Sequence, residues 1–168
     1  DRDDDHAWTW MRNHRTNAGR SQKRHPTRSN PGALPQHDFT GIQFRSGATH
    51  VVTGSHGLHN VDLVLGSERD PHLPEKSLDL VLIAYAYHEF SQPEDIMAAV
   101  RRSLKPGGRV VLLEYSLESA YTPVPGLHKM RLEDIRSEIE PMGFAVDRIL
   151  HFLPNQHCVI FVAWPREK

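Results

Sequence analysis

Two short apolar runs, DLVLIAY at residues 79–85 and RVVLLEY at residues 109–115, flank a segment whose apolar residues recur every three or four positions. Nothing else in the chain constrains the fold as much. Neither run alternates strictly between apolar and polar residues, so each reads as a strand covered on both faces. The segment between them gathers Ile96, Ala99, Val100 and Leu104 on one face, as an amphipathic helix does. Ser91 or Gln92 caps it, Pro93 sits in its first turn, and Glu94 and Asp95 face the positive end of the helix dipole. Arg101, Arg102 and Lys105 fall near its other end, and Pro106, Gly107 and Gly108 stop it. Strand, helix and strand in this order make a βαβ crossover, the repeating unit of a parallel α/β sheet.

More elements follow the same logic. Residues 61–65 predict a strand, and the loop after it, GSERDPHLPEKS, is marked by Gly66, Pro71 and Pro74. Residues 132–142 predict a second helix with Leu132, Ile135, Ile139 and Met142 on one face and Gly143 at its end. Residues 145–150 and 158–163 read as two strands joined by FLPNQH. The ordered series of an acidic loop, a strand ending in YHEF, a helix running into LKPGG, then HKM, GF and FLPNQH resembles the second half of a class I S-adenosylmethionine-dependent methyltransferase, over residues 60–164. The resemblance implies an α/β, Rossmann-like sheet whose last two strands form a reversed hairpin. It also implies S-adenosylmethionine as cofactor and methyl transfer to a small molecule.

Methyltransferases of this class bind the methionine end of the cofactor on a Gly-rich turn after the first strand, and its ribose on an acidic residue ending the second. Upstream of Asn60 no apolar strand runs into such a turn. The nearest candidate, GSHG at residues 54–57, follows the short HVVT patch and leads straight into another strand. The expected fold is therefore a truncated methyltransferase sheet, with residues 1–57 a poorly ordered or unrelated segment and 58–168 the domain. The alternative to an enzyme is a non-catalytic remnant or interaction module that keeps the scaffold and has lost the cofactor. With its first strand missing, the strand at residues 79–85 would have an uncovered edge. Either residues 61–65 move in beside it, with the patch at 50–53, or a second copy of the chain pairs there.

Ligands of open α/β sheets sit outside the carboxyl ends of the strands, so the residues that follow the strands are the candidates. The resemblance implies that Asp70 lies near the adenine; the competing reading is an Asp-Pro turn. Ala84 and Tyr85 are suited to the floor of the cofactor pocket. Tyr87, His88 and Glu89 are the catalytic candidates. Methyl transfer is an in-line displacement that needs an aligned and often deprotonated acceptor, and a histidine suits that task. The competing role is a set of hydrogen bonds that fixes the sheet edge. Glu114 and Tyr115 end the next strand, and His128, Lys129 and His157 lie in connections that return to the same edge. No metal site is expected, because no H-x-x-x-H or H-E-x-x-H pair lies on a helix and no cysteine joins the histidines.

The 168-residue chain has a net charge of -1, which gives no global reason to expect nucleic acid or an anionic membrane as partner. Cys158 is the only cysteine and sits in the apolar run CVIFVAW, so it reads as a buried strand residue that forms no intramolecular disulfide. The start DRDDDH is unlike a secretory signal, no run is long enough to span a bilayer, and a cytoplasmic setting is the expectation. Arg12, Arg15, Arg20, Lys23, Arg24 and Arg28 form a basic stretch without acidic residues. It reads as a solvated tail, as the product of a wrongly joined or out-of-frame gene segment, or, less favoured, as a nucleic-acid arm with Trp8 and Trp10 as stacking surfaces.

Overall fold

The structure is a computed structural model and describes residues 8–13, 38–43, 61–120 and 124–164. Its strands in chain order are β1 (Trp8–Asn13), β2 (Asp38–Gln43), β3 (Val61–Leu65), β4 (Leu78–Ala84), β5 (Leu104–Ser116), β6 (Lys129–Met130), β7 (Phe144–Leu150) and β8 (Gln156–Ala163). Among the described residues two α-helices, α1 (Pro93–Ser103) and α2 (Leu132–Ile139), lie between them in sequence. The strands form one sheet in the order β3-β2-β1-β4-β5-β8-β7, with the short β6 paired to β5.

The βαβ unit is present as its spacing predicts. β4 and β5 are parallel, with Leu80 opposite Arg109 and Ala84 opposite Leu113. α1 buries Ile96, Met97, Ala99 and Val100, and all but Ala99 join one core cluster with Val81, Ile83, Val110 and Leu112 of the strands. Burying each such side chain stabilises the fold by roughly 1.5–3 kcal/mol relative to exposure. The helix ends at Ser103. Leu104 is already opposite Leu78, so LKPGG belongs to the start of β5, and the pairing shifts register across it. Gly107 takes the left-handed conformation at φ 79°, which an ordinary residue resists.

β7 and β8 form the reversed hairpin, with β8 antiparallel to both β5 and β7. α2 contributes Ile135 and Ile139 to the same core and continues into a 3-10 turn, Glu140–Met142. Gly143 closes that turn at φ 91°, where a Cβ would stand 3.0 Å from the Arg101 guanidinium. That guanidinium donates to the Trp164 carbonyl at 2.7 Å, so the glycine gives Arg101 room to fasten the end of the hairpin to α1. Cys158 is buried in β8, as its apolar run suggests.

The edge of β4 departs from expectation. β1 fills it, running antiparallel with Trp8 opposite Ala84 and Met11 opposite Val81. β3 does not move in; it lies at the far edge beside β2. The backbone groups of β4 are thus paired within one chain, and the reason for expecting a second copy there does not arise. WTWMRN mixes large and polar residues and pairs through backbone bonds that composition does not register. β1 and β2 both come from the segment for which composition predicts loose packing. The patch at 50–53 and GSHG at 54–57 lie outside the described residues.

Candidate functional site

The pleat of β5 carries the site. Inward positions follow at intervals of two as Val110, Leu112, Glu114 and Ser116, so the apolar row that packs the core runs on into a carboxylate. The Glu114 side chain is fully buried, and a buried carboxylate must be hydrogen-bonded to be tolerated. Its partners come from the turn after β4. Tyr85 reverses the chain at φ 52°, an uncommon conformation for a residue with a Cβ, and a 3-10 turn, Tyr87–Glu89, follows. The Tyr87 backbone N–H donates to Glu114 Oε1 at 2.8 Å, and His88 Nδ1 lies 2.8 Å from Oε2. Because the carboxylate only accepts, the proton sits on Nδ1 and the Nε2 of neutral His88 offers its lone pair.

Nε2 of His88 lies 3.0 Å from Nδ1 of His128, which ends the 3-10 turn Gly126–His128 just before β6. Glu89 Oε1 stands 3.8 Å from His88 Nε2 and 3.9 Å from His128 Nδ1. Burial disfavours the charged form of His88, but the hydrogen bond to Glu114 and the charges of Glu114 and Glu89 outweigh it, and the pKa lies above its ordinary value. The His88 side chain is 8% exposed and that of His128 is 35% exposed, so His128 is the face of the cluster that a solute meets.

The other candidates fall in different places. Tyr87 turns its ring into the core edge-to-face with Phe90; its hydroxyl is buried beside Glu138, and its contribution to the cluster is the backbone N–H. Burial, with the charge of Glu138 beside it, raises the Tyr87 pKa. Tyr85 stacks on Tyr115 with centroids 4.5 Å apart, which makes a two-ring floor where β4 and β5 end. Burial first, then Tyr115 and Glu114, raises the Tyr85 pKa. Ala84 is half-buried at the end of β4. Asp70 is exposed in a turn in which its Oδ1 accepts from the His72 N–H at 2.8 Å and the Ser67 Oγ accepts from its own N–H at 3.1 Å. Arg69 pairs with Asp95 at 2.6 Å, which ties this loop to the first turn of α1.

Glu118, just past β5, was not among the sequence candidates, and its chemistry is that of a fastening. Burial opposes its charge, but its own backbone N–H, His157, the Ser116 hydroxyl and the Leu132 N–H all favour it, and the carboxyl is held down at about 2. One side chain thereby joins β8, β5 and the start of α2. A lowered carboxyl pKa contributes stability that is present above its unfolded value and lost as pH falls toward the folded one. Its side chain is 51% exposed, so solvent screening limits the contribution to about 1 kcal/mol. Thermal unfolding of the parent chain and of Glu118→Gln should differ at pH 6 and converge between pH 5 and pH 2. A gap that persists at pH 2 would assign the stabilisation to something other than this charge.

The residues present fit one side of S-adenosylmethionine. Asp70, Ala84, Tyr85 and the ring of Tyr115 supply a carboxylate, a small residue and aromatic faces at the carboxyl edge of the sheet. The methionine side is different. β1 runs antiparallel to β4, and no Gly-rich turn occurs at the carboxyl edge upstream of β3 among the described residues. β2 ends in Gln43 in place of a ribose-binding carboxylate.

Known proteins agree with this architecture. Residues 29–112 match the family described as a methyltransferase domain, so the match reaches 31 residues further upstream than the motifs that begin at Asn60. A demethylmenaquinone methyltransferase of Chlamydia muridarum is 32% identical over 98 residues, which are 58% of this chain and 43% of that protein. The chain thus spans about two fifths of the length of this relative. Among solved structures, a SAM-dependent methyltransferase from Aquifex aeolicus superposes with a TM-score of 0.61 at 21% identity, covering 66% of this chain and 58% of that one. The O-methyltransferase NcsB1 of neocarzinostatin biosynthesis, solved with S-adenosylmethionine and 2-hydroxy-5-methyl naphthoic acid, gives 0.61 at 16% identity over 74% of this chain and 41% of that one. With the family match over half its length and the sheet order just described, the chain belongs to the class I S-adenosylmethionine-dependent methyltransferases.

Proposed function

We propose that the chain carries the acceptor-activating half of an S-adenosylmethionine-dependent methyltransferase whose substrate is a small aromatic molecule of the quinol or phenol type. The observation that supports it most is the buried Glu114–His88 pair at the carboxyl ends of β4 and β5, where ligands of such sheets bind. The names of the relatives favour an aromatic acceptor. The reading of the chain as a non-catalytic remnant draws no support from either.

When bound, S-adenosylmethionine supplies an electrophilic methyl group on a sulfonium. The chain's part is to orient the acceptor and take its proton. Glu114 fixes the tautomer and ring plane of His88, so Nε2 is the atom that accepts a hydroxyl proton, and the same carboxylate stabilises the imidazolium that forms. His128 must swing aside or pass the proton on, since its Nδ1 stands in front of Nε2. Tyr87 is a positioning residue through its N–H, and Glu89 stabilises positive charge on either imidazole. Asp70, Ala84 and Tyr85 line the adenine side.

Demethylmenaquinol offered with S-adenosylmethionine carrying a labelled methyl group tests this. His88→Ala should lower turnover by about 10²-fold or more with cofactor affinity nearly unchanged. A rate equal to that of the parent would return His88 to a purely structural role.

A further inference from the structure

The spacing of donors in the sequence gave no reason to expect a metal, yet the fold brings three of them together. His88, Glu89 and His128 each offer one ligand atom, and these atoms all lie within 4.8 Å of one another. The separations are 3.0 Å between His88 Nε2 and His128 Nδ1, 3.8 Å between His88 Nε2 and Glu89 Oε1, and 3.9 Å between His128 Nδ1 and Glu89 Oε1. A triangle with sides of 3.0, 3.8 and 3.9 Å has a circumradius of about 2.1 Å, which is the length of a zinc–nitrogen or zinc–oxygen bond. Glu89 Oε1 is nearly equidistant from both nitrogens and beyond hydrogen-bond reach of either.

The surroundings complete the pattern. Metal-bound histidines commonly donate their second ring N–H to a carboxylate, which fixes the tautomer and raises ligand basicity. His88 does so to the fully buried Glu114, which Tyr87 N–H holds in turn. Two imidazoles and one carboxylate are a donor set of zinc-class ions, and three protein ligands leave a coordination position open.

We propose that His88 Nε2, His128 Nδ1 and Glu89 Oε1 form a site for one divalent ion of the zinc class, with its open position toward the acceptor side. What the ion would do there rests on the reading above: the metal-free chain uses Nε2 of His88 as the base, and with the ion bound that lone pair is occupied and an acceptor hydroxyl in the open position would lose its proton to solvent. Binding itself does not depend on methyl transfer.

The test is calorimetric titration of the chelator-treated full chain with Zn²⁺ alone, with Co²⁺ absorption as a second readout and circular dichroism to confirm folding. One ion per chain at micromolar affinity or tighter is expected, with a loss of about 10-fold or more in both His128→Ala and Glu89→Gln. Glu89 and His128 are partly exposed, so either variant alone decides if the other fails to fold. No saturable binding, or equal affinity in parent and variants, overturns the site. Binding that disappears in the variants while the chain transfers no methyl group would uphold the site and sink the proposed activity.

Discussion

Glu114→Gln should lower methyl-transfer turnover by about 10²–10⁴-fold while costing little more than 1–2 kcal/mol of stability. The amide fills the space of the carboxylate, and its oxygen can still accept the Tyr87 N–H now held at 2.8 Å. Its nitrogen, however, faces His88 Nδ1 as a donor. To avoid two donors meeting, the imidazole must move its proton to Nε2, and the atom that should accept a proton or bind an ion then carries one. The charge that stabilises an imidazolium also disappears. Steady-state kinetics paired with a denaturant titration measure both halves. Turnover within a few-fold of the parent, in a folded variant, would mean that the tautomer of His88 does not matter to the reaction.

Phe161→Ala should destabilise the domain by about 3–5 kcal/mol. Phe161 is fully buried in β8, opposite Val110 of β5 on one side and Val146 of β7 on the other, so truncation leaves a cavity at the join between the parallel half and the reversed hairpin. Domains are commonly stable by only 5–15 kcal/mol, so a loss of that size is a large fraction of the total. The midpoint of denaturant unfolding reads it directly. A shift corresponding to less than about 1 kcal/mol would place the core elsewhere.

What could be read from the sequence was what local pattern determines. Ile96 and Val100 at helical spacing, Pro93 at the helix start, and apolar runs on either side specify β4, α1 and β5 because each signal lies within one element. The strands β7 and β8 were legible for the same reason, whereas their pairing as a reversed hairpin followed from the family resemblance. β1 was not, because its place depends on β4, some seventy positions away, and Trp8, Arg12 and Asn13 carry no strand period of their own. LKPGG was read as a stop only, since the backbone pairing of Leu104 with Leu78 leaves no trace in composition.

The site divides in the same way. His88 and Glu89 could be singled out because the end of a strand is where such sheets do chemistry. Glu114 could be seen to end its strand, but its burial and its bond to a residue 26 positions earlier belong to the fold. His128 meets His88 across 40 positions, a distance at which metal-ligand spacing rules give no warning. Tyr87 was grouped with its neighbours as a site residue, yet the 3-10 turn sends its ring inward.

The central claim is that the carboxyl edge of β4 and β5 joins a cofactor surface to the His88 cluster. Titrating the isotope-labelled chain with S-adenosylhomocysteine while following its amide and ring resonances tests that most directly. The account predicts saturable shifts at Asp70, Ala84, Tyr85 and Tyr115, with smaller ones at His88. Saturation without movement of these residues, or no movement anywhere at millimolar ligand, would contradict it.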